Sequence, residues 1–192
     1  MPQLWVIAGP NGAGKTTIAD RWFAARIPVI SPDYFAAQYN LHPFQAGRRA
    51  LQKQEQLLRE GISFAVDTTL SGNRKLALME RAANAGYKVN LIFVCLKDAA
   101  LCHTRITERT TRGGHTVPIE DVVRRYNRSL SNLNKAIDLA ERFFVLDNTG
   151  KNRRLLFSMK RGRIKYLSNK LPEWARTWIP SNLLKQSRGL AL

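Results

Sequence analysis

The chain has 192 residues, 31 Lys+Arg against 14 Asp+Glu, a formal net charge of +17 and two cysteines. That length suits one domain around one core, and Cys95 and Cys102 have no metal-ligand spacing, so they read as reduced structural thiols on a strand and a helix. The longest apolar runs, near Leu91–Leu96 and Phe143–Leu146, are far too short to span a membrane, and no basic-then-apolar leader opens the sequence, so a cytoplasmic chain without a membrane partner is expected.

The first apolar run, Leu4–Ala8, leads straight into Gly9-Pro10-Asn11-Gly12-Ala13-Gly14-Lys15-Thr16-Thr17. This is the pattern G-x-x-x-x-G-K-[ST] placed where a strand should turn into a helix, and it predicts a bound nucleoside triphosphate, ATP or GTP. Glycines let the backbone approach phosphate oxygens closely, and successive N–H groups with the next helix N-terminus cradle them. Lys15 would reach the β- and γ-phosphates, and Thr16 would hold Mg²⁺.

Further along, apolar runs at Ile27–Ser31, Ile62–Val66, Val89–Leu96 and Phe143–Leu146 alternate with stretches of helical spacing. Helices are predicted over Lys15–Ala25, Gln45–Arg59, Arg74–Ala85, Ala99–Thr111 and from Ile119 into the 130s, with Gly61 and Gly86 at two of their ends. The alternation predicts an α/β fold of the P-loop NTPase type, kinase-like, with a mostly parallel sheet flanked by helices. After Gly150 the pattern changes. Leu155–Lys160 and Arg163–Ser168, joined across Arg161-Gly162, read as an antiparallel hairpin, followed by short helix or extended tail. The expected organisation is a core over 1–150 and a basic appendage over 151–192 that is not an independent domain.

Polar groups fall at the carboxyl ends of these strands, where open α/β sheets bind ligands. Asp33 follows the second strand; it can take a proton from a substrate hydroxyl or cap a helix over Tyr34–Tyr39. Asp67 ends the third strand, beside Thr68, and can orient magnesium through water, receive a substrate hydroxyl, or form a turn. Asp147-Asn148 close the last strand. Between Arg105 and Arg128 lies an arginine-rich stretch in which 105, 109 and 112 share one helical face and 124, 125 and 128 cluster on the next helix, with Gly113-Gly114-His115 between. It predicts a helical lid over about 105–128 whose guanidinium groups, Arg109, Arg112, Arg124 and Arg125 among them, neutralise a transferring phosphoryl group. His115 reads as a loop contact rather than a metal ligand.

Taken together, Gly9–Thr17, Asp67-Thr-Thr-Leu-Ser-Gly72, Gly113-Gly-His-Thr-Val-Pro118, Arg124–Leu133 and Asp147-Asn148 resemble the short zeta-toxin-like P-loop kinases, over about residues 3–150. Zeta toxins belong to bacterial toxin–antitoxin systems and phosphorylate a hydroxyl of UDP-N-acetylglucosamine. The resemblance implies Lys15 and Thr16 as phosphate and metal contacts, Asp33 as the base, Asp67, Thr68 and His115 near the acceptor, and lid arginines among Arg109, Arg112, Arg124 and Arg125. It also implies an antitoxin, expected on a separate chain; the sequence does not fix the oligomeric state, for which a monomer is the default. Asp67 stands where the long zeta toxins usually carry Glu, and relatives on this scaffold phosphorylate other nucleotide-linked metabolites, NAD among them, so the acceptor does not follow from the fold.

Two other classes are weighed. An ABC-type ATPase shares the loop pattern but would carry strands before it and an acidic strand end followed by Glu. A nucleic-acid kinase or nucleic-acid-binding ATPase draws on the last 42 residues, where 11 Lys+Arg face a single acid, Glu173. Because the basic residues alternate with apolar ones and carry no nucleic-acid-binding motif, a solvated or partner-contacting face is favoured there.

Overall fold

The computed structural model describes residues 1–110 and 117–178. Seven strands form one sheet: β1 (Gln3–Ala8), β2 (Val29–Ile30), β3 (Phe64–Thr68), β4 (Lys88–Cys95), β5 (Arg142–Asp147), β6 (Arg154–Lys160) and β7 (Arg163–Leu167). Their spatial order is β2-β3-β1-β4-β5-β6-β7. The pairs from β2 to β5 are parallel, and β6 and β7 continue the sheet antiparallel. Eight helices are described: α1 (Lys15–Trp22), α2 (Pro32–Tyr39), α3 (Pro43–Arg59), α4 (Arg74–Asn84), α5 (Ala99–Thr110), α6 (Ile119–Ser131), α7 (Leu133–Asp138) and α8 (Glu173–Trp178). None of them is long and apolar enough to cross a membrane.

Packing explains the strand sequences. β1 and β4 lie in the middle of the sheet, and β4 is buried along all but its first residue, which is why it reads as a continuous apolar run rather than an alternation. Phe64, Phe93, Phe143 and Phe157 are fully buried, and the Phe143 and Phe157 rings meet at 5.8 Å across β5 and β6. The Tyr87 hydroxyl, 2.8 Å from the Leu57 carbonyl, ties the end of α3 to the start of β4. Both cysteines are free and buried, Cys95 in β4 and Cys102 in α5.

Sequence and structure differ chiefly at the edges. β2 is two residues long rather than five, because an edge strand pairs only with β3, over Val29 and Ile30. α1 stops at Trp22 instead of Ala25, and what reads as one helix from Ile119 divides at Asn132 into α6 and α7. α2, expected at most as a capped helix over Tyr34–Tyr39, begins two residues earlier, with Ser31 as its extended N-cap and Pro32 at its first position, where a missing N–H costs nothing. The hairpin turn is as expected: Arg161 and Gly162, at φ 50 and 72, both adopt the left-handed conformation that a two-residue connection with matching twist requires.

Candidate functional site

The glycine-rich loop is held by backbone packed against backbone. Gly9, leaving β1, donates its N–H to the Thr68 carbonyl at 3.2 Å. A side chain there would put its Cβ 1.9 Å from the Val94 carbonyl oxygen, and one at Gly12 would stand 2.6 Å from that of Cys102, so β4 and α5 leave room only for glycine at both positions. On the other side, the Asn148 amide donates to the Ala13 carbonyl at 2.9 Å, bracing the loop from the exit of β5. Gly14, left-handed at φ 94, caps α1 without any side-chain bond, so the first N–H groups of the helix are left for a ligand.

In front of the loop lies a cleft of about 450 Å³, lined by Asn11, Gly12 and Gly14 through Thr17 on one wall. Asp33, Asp67 and Thr68 form the wall facing it, and Arg105, Arg109 and Arg125 reach in from α5 and α6. Five elements distant in sequence thus converge on one space. Asp33 sits in the first turn of α2, one residue inside the helix, and makes no capping bond; its carboxylate is exposed to the cleft rather than spent on the backbone. Thr68 lines the cleft, but its hydroxyl accepts the Leu70 N–H at 3.0 Å and so also shapes the turn after β3.

Charges in the cleft are coupled. The Lys15 ammonium donates to the Pro10 carbonyl at 2.9 Å, folded over its own loop. Burial pushes its pKa down, Asp67 and Asp33 work against that, and Arg109 adds to the depression. Asp67 is pushed up, first by burial and then by the neighbouring charge of Asp33, with Lys15 opposing. An anionic ligand would relieve Lys15 and Arg109 at once, because both are cations held close to each other. The Thr16 hydroxyl donates to Asp67 Oδ2 at 3.4 Å, so a hydroxyl and a carboxylate stand together at the foot of the loop. Such hard oxygen donors, few in number, fit Mg²⁺ that keeps most of its waters and gains the rest of its shell from phosphate.

The two arms contribute unequally. The Asp98 carboxylate caps α5, accepting the Leu101 N–H at 2.7 Å, and the Tyr126 hydroxyl donates to the Leu96 carbonyl at 2.9 Å, fixing α6 on the end of β4. Arg125, beside Tyr126, lines the cleft. Arg124, its neighbour and equally expected, is not part of the cleft wall; both arginines pair with Asp121, Arg124 at 2.7 Å and Arg125 more loosely at 3.7 Å. Arg112 and His115 lie outside the described residues. Arg105, which in the sequence only shares a helical face with Arg109, lines the cleft and donates to the Thr149 carbonyl at 3.3 Å. Asn148 reads in the sequence as a rim group, and its service to Ala13, 135 positions away, leaves no local signal there.

Fold and loop together define a P-loop α/β protein of kinase-like architecture. An AAA domain family profile matches residues 4–133, and the chain belongs to that family. Solved structures at low identity share the fold. A chain of the AvrRxo1-ORF1:-ORF2 complex, crystallised with ATP, is 18% identical with a TM-score of 0.69; the alignment covers 93% of this protein and 62% of that chain, so this protein spans less than two thirds of its length. The PezAT chromosomal toxin–antitoxin system of Streptococcus pneumoniae provides a chain 15% identical, with a TM-score of 0.64 over 98% of this protein and 84% of its own length. By sequence, an uncharacterized protein of Haemophilus influenzae is 31% identical over 134 residues, which is 64% of this chain and 95% of that protein.

Proposed function

We propose that the cleft transfers the γ-phosphoryl group of ATP or GTP to a hydroxyl of a nucleotide-linked metabolite, a UDP-sugar such as UDP-N-acetylglucosamine being the first candidate. The observation that carries this reading is the convergence of the phosphate loop, two carboxylates and three arginines on one space. In the transfer, the bond from the γ-phosphorus to the β–γ bridging oxygen breaks as the acceptor oxygen bonds to phosphorus. Asp33 takes the acceptor's proton, and the nucleoside diphosphate leaves with the bridging electrons. Lys15 swings from the Pro10 carbonyl onto the phosphates, and Arg109 and Arg125 neutralise charge on the moving group, with Arg112 assigned the same duty. Thr16 and Asp67 are the residues that would hold Mg²⁺, which supplies charge neutralisation on the phosphates when bound.

Asp67 and Thr68, with His115, are assigned to the acceptor side. Since proteins sharing this fold come from a toxin–antitoxin system and from a two-component complex with ATP, we assign the chain the role of a cytoplasmic toxin opposed by a separate protein. Incubation of the purified protein with Mg-ATP and a panel of UDP-sugars, NAD, nucleosides and oligonucleotides, read by mass spectrometry, tests this. One acceptor among the nucleotide-linked metabolites should gain a phosphoryl group. A gain confined to oligonucleotides would favour the second reading, a nucleic-acid kinase, which rests on the exposed Lys160, Arg163 and Lys165 of the β6–β7 hairpin.

A further inference from the structure

The turn that follows β3 is built around a residue in an unfavourable conformation. Leu70 is buried and stands at φ 56, in the left-handed region that a bulky non-glycine residue normally avoids. Such a residue persists only where its surroundings over-determine it, and here both of its backbone groups are claimed by side chains. Its N–H donates to the Thr68 hydroxyl at 3.0 Å, and its carbonyl accepts the Asn132 amide at 2.9 Å. The Thr69 and Ser71 hydroxyls, 2.8 Å apart, brace the same turn.

Asn132 comes from the opposite arm of the cleft. It ends α6 and begins α7, a position from which asparagine commonly caps the helix that follows, yet its side chain makes no capping bond. The amide is spent on Leu70 instead. Arg125, which lines the cleft, lies two helical turns earlier on α6, and a heptad separation brings the two residues to within about 20° of the same face. One face of α6 therefore supplies a guanidinium to the cleft and, at its far end, the donor that holds the turn beside Thr68 and Thr69, which line the cleft as well.

We propose that Asn132 is a positioning residue: through the Leu70 carbonyl it fixes the turn on the acceptor side of the cleft to the helix that carries Arg125, so that the acceptor wall and this arginine keep one register. This rests on the kinase reading of the cleft and deepens it. Removing the amide leaves the Leu70 carbonyl unpaired in a turn already under strain, and the turn relaxes away from the cleft. The phosphate loop is held by its own contacts with β4, α5 and Asn148, so the donor's affinity should change little.

The test combines hydrogen exchange with kinetics on the full chain. In Asn132→Asp, which keeps the shape of the side chain but presents an oxygen in place of the amide N–H, exchange across residues 69–72 should quicken at least about tenfold while β1 and β4 hold their rates. Asn132→Ser, too short to reach Leu70 but at home at a helix boundary, guards against a folding fault in the first variant and should behave alike. Unchanged exchange in both overturns the proposal, whether or not the protein transfers phosphoryl groups. With the acceptor found in the mass-spectrometric panel, both variants should raise the acceptor KM about tenfold and leave the ATP KM within about twofold. The loss in kcat/KM caused by Arg125→Ala, about tenfold in the wild type, should shrink to less than about threefold in the Asn132→Asp background, because the arginine has already lost its register. An unaltered acceptor KM or an undiminished Arg125 effect, with transfer intact, sinks the assignment and leaves the kinase reading standing. Quickened exchange in a protein that transfers to no acceptor upholds the tie and refutes the kinase reading.

Discussion

The two walls of the cleft are built on different principles. The donor wall is backbone held mainly by backbone: Gly9 against Val94 and Gly12 against Cys102, with Ala13 braced by the Asn148 side chain. The facing wall is side chains from several elements of unequal anchorage: α2, which carries Asp33, has no buried residue at all and Arg109 is exposed, whereas Asp67 and Thr68 stand on β3, paired on both sides. A wall of peptide groups can recognise only what every nucleoside triphosphate shares, whereas a wall of side chains can be changed one residue at a time without touching the core. The donor should therefore be fixed by the fold and the acceptor by residues that mutate cheaply.

The largest effect should come from breaking the donor wall itself. Gly9→Ala forces a Cβ onto the Val94 carbonyl and should cost at least about 2 kcal/mol, lowering Tm by roughly 5 °C or more and abolishing nucleotide binding. Thermal melts with and without ATP check this. A variant that melts and binds normally would mean that the loop has slack.

On the facing wall, Asp33→Asn should leave ATP affinity within about twofold and lower kcat by about 10² or more, because only proton acceptance is lost. Loss of ATP binding would assign Asp33 a structural duty instead. Between the two adjacent arginines of α6 the contrast is sharper: Arg125→Ala should reduce kcat/KM about tenfold or more, and Arg124→Ala less than about twofold. Equal losses would show that both reach the transferring group.

The smallest effect belongs to neither wall. Arg81→Ala removes an exposed ion pair with Glu55 and should cost no more than about 0.5 kcal/mol at neutral pH. Arg81 holds the Glu55 pKa below its ordinary value, so that contribution is present above the unfolded glutamate pKa and disappears as pH falls through the depressed one. Chemical denaturation at pH 7 and in strong acid should show the difference between variant and wild type closing.

How much of this was legible beforehand follows the same division. The loop, the buried strands and the Arg161-Gly162 turn announce themselves because each is specified by neighbours in the chain: glycine spacing, apolar runs, left-handed turn residues. The bond from Lys75 to Gln54 does not, since its partner comes from another helix. Arg124 and Arg125 could not be separated from sequence either, because consecutive helix positions differ by about 100° in direction and only the anchoring of Tyr126 on Leu96 decides which one faces the cleft. Asn148 reads as a strand-end residue until the loop it braces is seen beside it.

The central claim is that the segment from Gly9 to Thr17 grips a triphosphate. Isothermal calorimetry of folded wild-type protein in magnesium buffer, alongside Lys15→Ala, tests it most directly. The account predicts saturable heat with ATP or GTP that is lost or greatly weakened in the variant; no heat from either nucleotide, or heat untouched by removing the lysine, would contradict it.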